Sequence, residues 1–159
     1  MVKYEIIPNK DINSNNGNNP EIHTIHEEID YQKSFKFGKK GKFEVILYIL
    51  DYKLKDCSYM FYNCHNLINI DLSYLDTSKV QNMSNMFYNC DNIKTLNLSE
   101  LNTEKVNDMS CMFENCTKLK KLNLSKLNFE NVKNMNKMFR GCKSLESINL
   151  SSLNTKKCY

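Results

Sequence analysis

Hydrophobic and polar positions in the C-terminal two-thirds of the chain repeat with a period of 26 residues. A block of the form Met-Phe-x-x-Cys occurs four times, at Met60–Cys64, Met86–Cys90, Met112–Cys116 and Met138–Cys142. The segments 60–85 and 86–111 are identical at 14 of 26 positions, whereas unrelated segments would match at about two. A fixed period in this range predicts an array of stacked copies of one small unit instead of a closed globule.

The apolar residues of each unit follow the spacing Leu-x-x-Leu-x-Leu, as at Ile93, Leu96 and Leu98. The last two alternate with polar residues, which is typical of one face of a short strand. We therefore expect strands of successive units to pair in parallel, about 4.8 Å apart. The equivalent apolar residues of all copies would then form columns inside one continuous core.

The rest of each unit is predicted to be a short return arm. Val80, Met83, Met86 and Phe87 are spaced by 3, 3 and 1 residues, which favours a short α- or 3₁₀-helix facing the strand. The position before each cysteine is occupied by residues that tolerate the left-handed region, which predicts a C′ cap at the end of the arm. These residues are Asn63, Asn89, Asn115 and Gly141.

Three regions are predicted along the chain. Residues 1–33 form an N-terminal segment with an Asn-rich linker at Pro8–Pro20, which we expect to be partly disordered, preceded by a strand over Met1–Ile7. Residues 34–53 read as a β-hairpin that would cap the open end of the stack. Residues 54–159 contain about four repeats, the last incomplete. The expected fold class is α/β repeat: a solenoid of short parallel strands and short helical return arms with an N-terminal β-hairpin cap.

The unit as a whole reads L-x-x-L-x-L-S-x-L-x-T-x-x-V-x-x-M-S-x-M-F-x-x-C-x-x-L. It resembles the BspA-like leucine-rich repeats of bacterial and protist surface antigens, in their 26-residue variety. The residues that carry the resemblance are those like Met86, Phe87, Cys90 and Ile93, with Leu98-Ser99 and Thr103. The match covers Asp56–Tyr159, where Phe129 stands in place of the recurrent threonine. The resemblance implies a leucine-rich-repeat solenoid used for adhesion or protein binding at the cell surface.

Polar side chains alternate with the core residues of the predicted strands and supply the candidate ligand face. The two columns are Asn69, Thr95, Lys121 and Ser147, and Asp71, Asn97, Asn123 and Asn149. In a leucine-rich-repeat geometry both would line the open sheet, where such proteins often bind ligands. An alternative for the second column is an Asn ladder that hydrogen-bonds along the stack and serves stability alone. The sequence leaves these two interpretations open.

The net charge of +4 resides entirely in the repeats. The densest cluster is Lys118, Lys120, Lys121 and Lys126. An acidic partner is one interpretation, but mixed charge of this density is ordinary for a solvated surface, which we favour. We expect a protein or glycan partner and no nucleic acid.

The seven cysteines are predicted to be thiols in a reducing environment, because Cys64, Cys90, Cys116 and Cys142 occupy one column among core positions. Cys111 falls in a polar column, so we expect it to be exposed and the most reactive thiol.

An enzyme is not expected. The chain contains no Gly-rich phosphate loop, G-x-S-x-G, H-E-x-x-H or C-x-x-C motif. His23 and His26 are more simply surface residues than half of a metal site, and no cofactor is predicted.

The sequence contains no apolar run of about 18 residues, so no membrane span is predicted. No signal peptide is recognised before the repeats. This favours the cytoplasm, whereas the resemblance favours the cell surface.

The function predicted from these patterns is a non-enzymatic protein-binding or adhesion module. The alternative is a structural protein that self-associates, because the last unit stops before its Met-Phe arm and would leave an uncapped apolar C-terminal edge. A third interpretation is a fragment of a longer surface protein.

Overall fold

A computed structural model describes the three N-terminal strands, without their side chains, and residues 54–73 and 75–153 in full. The chain divides into two compact units, Met1–Asp51 and Tyr52–Tyr159.

The N-terminal unit contains a three-stranded antiparallel sheet in the order β2-β1-β3. Its strands are β1 (Val2–Pro8), β2 (His23–Ile25) and β3 (Phe43–Ile49). Strand β1 is the strand predicted over Met1–Ile7, and it pairs along its whole length with β3. The first arm and turn of the predicted 34–53 hairpin, and the residues of the Asn-rich linker after Pro8, lie outside the described residues.

The C-terminal unit is built on the 26-residue register. Its strands β4 (Thr95–Leu96), β5 (Lys121–Asn123) and β6 (Ser147–Asn149) pair in parallel. Equivalent residues of successive copies are direct partners. A second parallel row of bridges links Asp56, Asn82, Asp108 and Asn134. The parallel pairing predicted for the repeat is thus observed in these strands.

The core consists of columns of the same residue type from successive units. The rings of Phe61, Phe87, Phe113 and Phe139 stack with centroids 5.2, 5.9 and 5.8 Å apart and planes within 15° of parallel. Met83 and Met109 are fully buried between these copies. Offset stacking of aromatic rings adds to the stabilisation that burial provides. A unit therefore covers the apolar face of the unit before it.

The return arm differs from the prediction, because the described residues contain no helix and the arm is a run of turns. The N–H groups of Met83, Asn85, Phe87 and Asn89 each donate at 2.9 Å to a carbonyl oxygen of the next unit. Between them, the N–H groups of Met86 and Tyr88 donate three residues back within the unit. An α-helix would need every N–H for its own i−4 carbonyl. Bonding between units has therefore replaced bonding along the arm.

Two residues of each arm have positive φ, which also prevents a right-handed helix. The second of these positions is the predicted one, at Asn63, Asn89, Asn115 and Gly141, with φ of 57 to 76°. The first is at Tyr59, Asn85, Cys111 and Lys137, with φ of 55 to 60°. We call residues 59–64 and their equivalents in the later units the arm corner.

Each unit also turns at Asx corners, where a side-chain oxygen accepts the backbone N–H two residues ahead. One set is Asp56, Asn82, Asp108 and Asn134. A second is Asp76, Asn102 and Asn128, and a third is Asp71, Asn97, Asn123 and Asn149. These local bonds satisfy the backbone at positions where the chain changes direction.

Candidate functional site

The outward side of β4, β5 and β6 forms a shallow groove of about 520 Å³. Seven of the eight predicted ligand-face residues line it, and all eight are exposed. The seven are Asn69, Thr95, Asn97, Lys121, Asn123, Ser147 and Asn149. The eighth, Asp71, does not line the groove. We call the seven lining residues the sheet face.

The first row of the sheet face contains its only charged side chain. Thr95, Lys121 and Ser147 are partners in the parallel register. Within the described ranges, Lys121 has no carboxylate within ion-pair distance. The adjacent Lys120 pairs with Glu146 at 3.4 Å on the exposed surface. The charge of Lys121 is thus left available to a ligand.

The second row does not form the Asn ladder that was the alternative interpretation of these residues. The Oδ1 atoms of Asn97, Asn123 and Asn149 accept the N–H of Ser99, Ser125 and Ser151 at 3.0 to 3.1 Å. Within the described part of the chain their Nδ2 groups have no acceptor. In the described structure these asparagines therefore stabilise their own turns and do not bond to one another along the stack.

Asp71 departs from this row because it is an acid. Its Oδ1 accepts from both the backbone N–H and the hydroxyl of Ser73. These bonds lower the pKa of Asp71 below its usual value, the hydroxyl of Ser73 contributing most. The carboxylate is thereby engaged with its own turn.

An asparagine ladder does exist, at the arm corner. The Nδ2 of Asn89 donates to the Oδ1 of Asn63 at 2.8 Å, and the Nδ2 of Asn115 donates to the Oδ1 of Asn89 at 2.9 Å. In the fourth unit the position is Gly141, where a Cβ would overlap the Oδ1 of Asn115. The ladder thus ends at a residue that has no side chain.

The cysteine column also bonds between units. The thiols of Cys90, Cys116 and Cys142 donate to the carbonyl oxygens of Phe61, Phe87 and Phe113 at 3.0 to 3.2 Å. Cys90 and Cys116 are buried, as predicted for this column, whereas Cys64 and Cys142 at its two ends are half-buried. Burial raises the pKa of Cys90 to about 12 and that of Cys116 further. These thiols are small apolar core residues that also serve as hydrogen-bond donors.

Cys111 is less exposed than predicted, and its rank as the most reactive thiol stays a prediction. It is half-buried, and burial together with a hydrogen bond and charge from Glu114 raises its pKa. A raised pKa lowers the fraction of reactive thiolate at neutral pH. Glu114 itself is buried and pairs with Arg140 at 3.4 Å, a partnership that sequence reasoning missed although both lie in one column of the repeat.

Sequence reasoning also missed a tyrosine cluster at the first two arm corners. The rings of Tyr62 and Tyr88 stack at 4.9 Å, and Tyr59 meets Tyr62 at 5.3 Å in a tilted arrangement. Tyr59 and Tyr62 are 56% and 41% exposed. The cluster could have been predicted from the Met-Phe-Tyr-Asn-Cys block, which occurs in the first two copies. Glu114 and Arg140 occupy the tyrosine position in the third and fourth copies.

No three His, Cys, Asp or Glu side chains come together as a metal site within the described ranges. His65 contacts Asp91 at 3.1 Å on the surface. His23 has its backbone in β2, and His26 lies outside the described residues. The portion of the chain described here also includes no helix with the length and apolarity that crossing a bilayer requires.

These features define a class of protein made of 26-residue units in parallel register, with a polar sheet face on one side. Residues 55–159 match a family model described as "Mycoplasma protein of unknown function, DUF285". The chain belongs to this family. No curated protein and no solved structure matches the chain.

Proposed function

We propose that residues 54–159 form a leucine-rich-repeat solenoid of the BspA-like kind, and that the sheet face binds a protein or glycan partner without chemical turnover. The observation that carries this proposal is that seven exposed polar residues from four successive units line one groove. Repeat proteins use such extended open faces for recognition. Adhesion at a cell surface is the role that the resemblance suggests.

A binding role without catalysis is supported by the composition of the groove. Lys121 is its only lining residue that titrates, and the others are amides, hydroxyls and inward-facing Leu96, Leu122 and Ile148. General acid–base or nucleophilic catalysis needs a second group positioned against the first. Positioned amides and hydroxyls are instead suited to orienting a ligand.

The intact chain, immobilised and exposed to cell lysates and a glycan library, tests this proposal. We expect ligands retained by the wild type to be lost from the double variant Lys121→Glu with Asn97→Asp, which reverses the charge and donor character of the face. The control is Lys133→Glu with Asn102→Asp, which makes the same changes at exposed positions outside the groove. Equal retention by all three proteins would exclude the sheet face as the binding site.

Self-association is a second candidate, favoured by the greater exposure of a core leucine in the last unit. Leu98 and Leu124 are 1% and 0% exposed, whereas the equivalent Leu150 is 37% exposed. A further copy of the unit would cover Leu150 as the third and fourth units cover those before them. Light scattering over a range of concentrations tests this, and we expect Leu150→Lys to abolish any oligomer. A wild type that stays monomeric throughout would exclude it.

A further inference from the structure

The amides of the sheet face present donors to a ligand instead of an equal mixture of donors and acceptors. The Oδ1 of each of Asn97, Asn123 and Asn149 already accepts one hydrogen bond from the backbone of its own turn, whereas both hydrogens of the Nδ2 group remain for a ligand. Because these residues belong to successive units in parallel register, the donors recur at about one strand spacing, ~4.8 Å.

The charge of the groove, like its amides, favours a ligand that supplies hydrogen-bond acceptors. No carboxylate is among its lining residues, and Lys121 supplies one ammonium group beside the hydroxyls of Thr95 and Ser147. The nearby Lys120 is matched by Glu146. The ligand that complements one cation and several neutral donors is rich in acceptors and carries negative charge at low density.

We propose that the sheet face binds a carboxylate-bearing polysaccharide, a uronate polymer, whose chain crosses β4, β5 and β6 with a carboxylate at Lys121 and hydroxyl or ring oxygens at the amides. This inference rests on the function proposed above and names its ligand class. A pyranose in an extended chain advances by about the distance between neighbouring strands, so successive sugars meet successive donors. A densely sulfated chain would demand more cations than Lys121 alone provides.

An acidic protein segment fits this face less well. An extended peptide places side chains of one face about 6.8 Å apart, which is out of step with donors one strand spacing apart. Protein interfaces also depend on buried Trp, Tyr or Arg anchors, and none lines the groove. The exposed Tyr59 and Tyr62 lie at the arm corner instead.

Calorimetric titration of the intact chain with hyaluronate oligosaccharides, in which uronates alternate with neutral sugars, tests this proposal. Neutral dextran, dextran sulfate and poly-glutamate are the comparison ligands. We expect binding of the uronates, weakened by added salt, and no comparable binding of the other three. Two variants probe the contacts. Lys121→Thr introduces the residue that Thr95 places in the same row, and Asn123→Asp keeps an acceptor for Ser125 while removing the donor.

Each face variant should weaken uronate binding about tenfold or more. Lys121→Thr loses a hydrogen bond to the ligand carboxylate, and Asn123→Asp loses a donor and places a carboxylate against a negatively charged ligand. The matched controls are Lys133→Gln, which introduces the residue found at Gln81, and Asn102→Asp at another Asx corner. Both controls should bind within about twofold of wild type. Urea unfolding of all four variants establishes that the fold is intact.

The results separate this inference from the proposed function. Uronate binding unaffected by Lys121→Thr and Asn123→Asp, or absent altogether, overturns the inference. Tight binding of dextran, dextran sulfate or poly-glutamate that the face variants abolish also overturns it, while supporting the sheet face as a binding site. The proposed function falls only if the charge-reversed double variant retains every ligand that the wild type captures.

Discussion

The arm corner and the sheet face each contain a column of asparagines from successive units, but the two columns form different hydrogen bonds. At the arm corner, Asn89 donates to Asn63 and accepts from Asn115, so both polar groups of its side chain join neighbouring units. On the sheet face, Asn123 accepts from Ser125 in its own turn and, within the described residues, leaves its amino group free.

The backbone conformation at each position accounts for the difference. Asn89 has a φ of 57°. In this left-handed conformation its carboxamide lies against those of Asn63 and Asn115 in the neighbouring units. Asn123 ends a strand at an Asx corner, where the nearest donor is the N–H two residues ahead. One column therefore joins neighbouring units, and the other keeps its amino groups unbonded within the described residues.

The largest expected difference between the arm corner and the sheet face is in the free energy of unfolding when a side chain is removed. Phe113→Ala removes a fully buried ring stacked between two others, so we expect a loss of about 3–5 kcal/mol in the free energy of unfolding. Thr95→Ala on the exposed face should change it by less than about 0.5 kcal/mol. Urea denaturation measures both, and similar effects of the two would contradict the division of roles.

Asn89→Ala tests the ladder itself. It removes two hydrogen bonds between units and places alanine at positive φ, so we expect a destabilisation of about 2–3 kcal/mol. Asn89→Gly relieves the backbone cost and should recover about 1 kcal/mol of it. Urea midpoints of the pair separate the two contributions. If alanine and glycine are equally destabilising, the positive φ carries no cost.

The buried thiols give the stability of the arm corner a dependence on pH. Cys116→Ala should cost about 1–2 kcal/mol through the lost volume and the bond to the carbonyl of Phe87. Burial raises the pKa of Cys90 from its ordinary value of 9.0 to about 12. The unfolded chain releases this proton first as pH rises, so the free energy of unfolding falls from about pH 9 towards pH 12.

Unfolding free energies at about pH 8 and about pH 10.5 check this dependence. Cys90→Ala should show a smaller decrease over the interval than the wild type. The same slope in both proteins would mean that Cys90 ionises equally in the folded and unfolded chains.

The smallest effects on stability are expected at the sheet face. Asn97→Asp keeps the acceptor for the N–H of Ser99, and Lys121→Thr removes an exposed side chain with no ion pair in the described structure. Each should change the free energy of unfolding by less than about 0.5 kcal/mol. Asn89→Asp is the matched change at the corner, where it replaces the donor to Asn63, and thermal unfolding should show it to be clearly more destabilising.

Much of the fold could be predicted because the repeat places one residue type in one column. The buried columns, the parallel register and the left-handed Asn63, Asn89 and Asn115 all follow from the 26-residue period. Two sets of Asx corners could also have been found, since Asp or Asn precedes Ser by two residues in most copies of those sets. The left-handed Tyr59, Cys111 and Lys137 could not, because these residue types do not favour positive φ.

The candidate site was predictable in position but not in chemistry. Alternation along the strands identified the residues of the groove, yet the sequence could not say whether their asparagines bond along the stack or within their own turns. The exclusion of Asp71 and the availability of Lys121 also depend on which neighbours fold against them.

The sequence by itself determined the period, the core columns and the polar face, because these depend on which residue types recur at which spacing. Only the tertiary structure decided how the return arm is built and which asparagines are free. Both depend on where each N–H finds its acceptor. In the arms that acceptor belongs to the next unit of the stack, so helical spacing there produced turns and no helix.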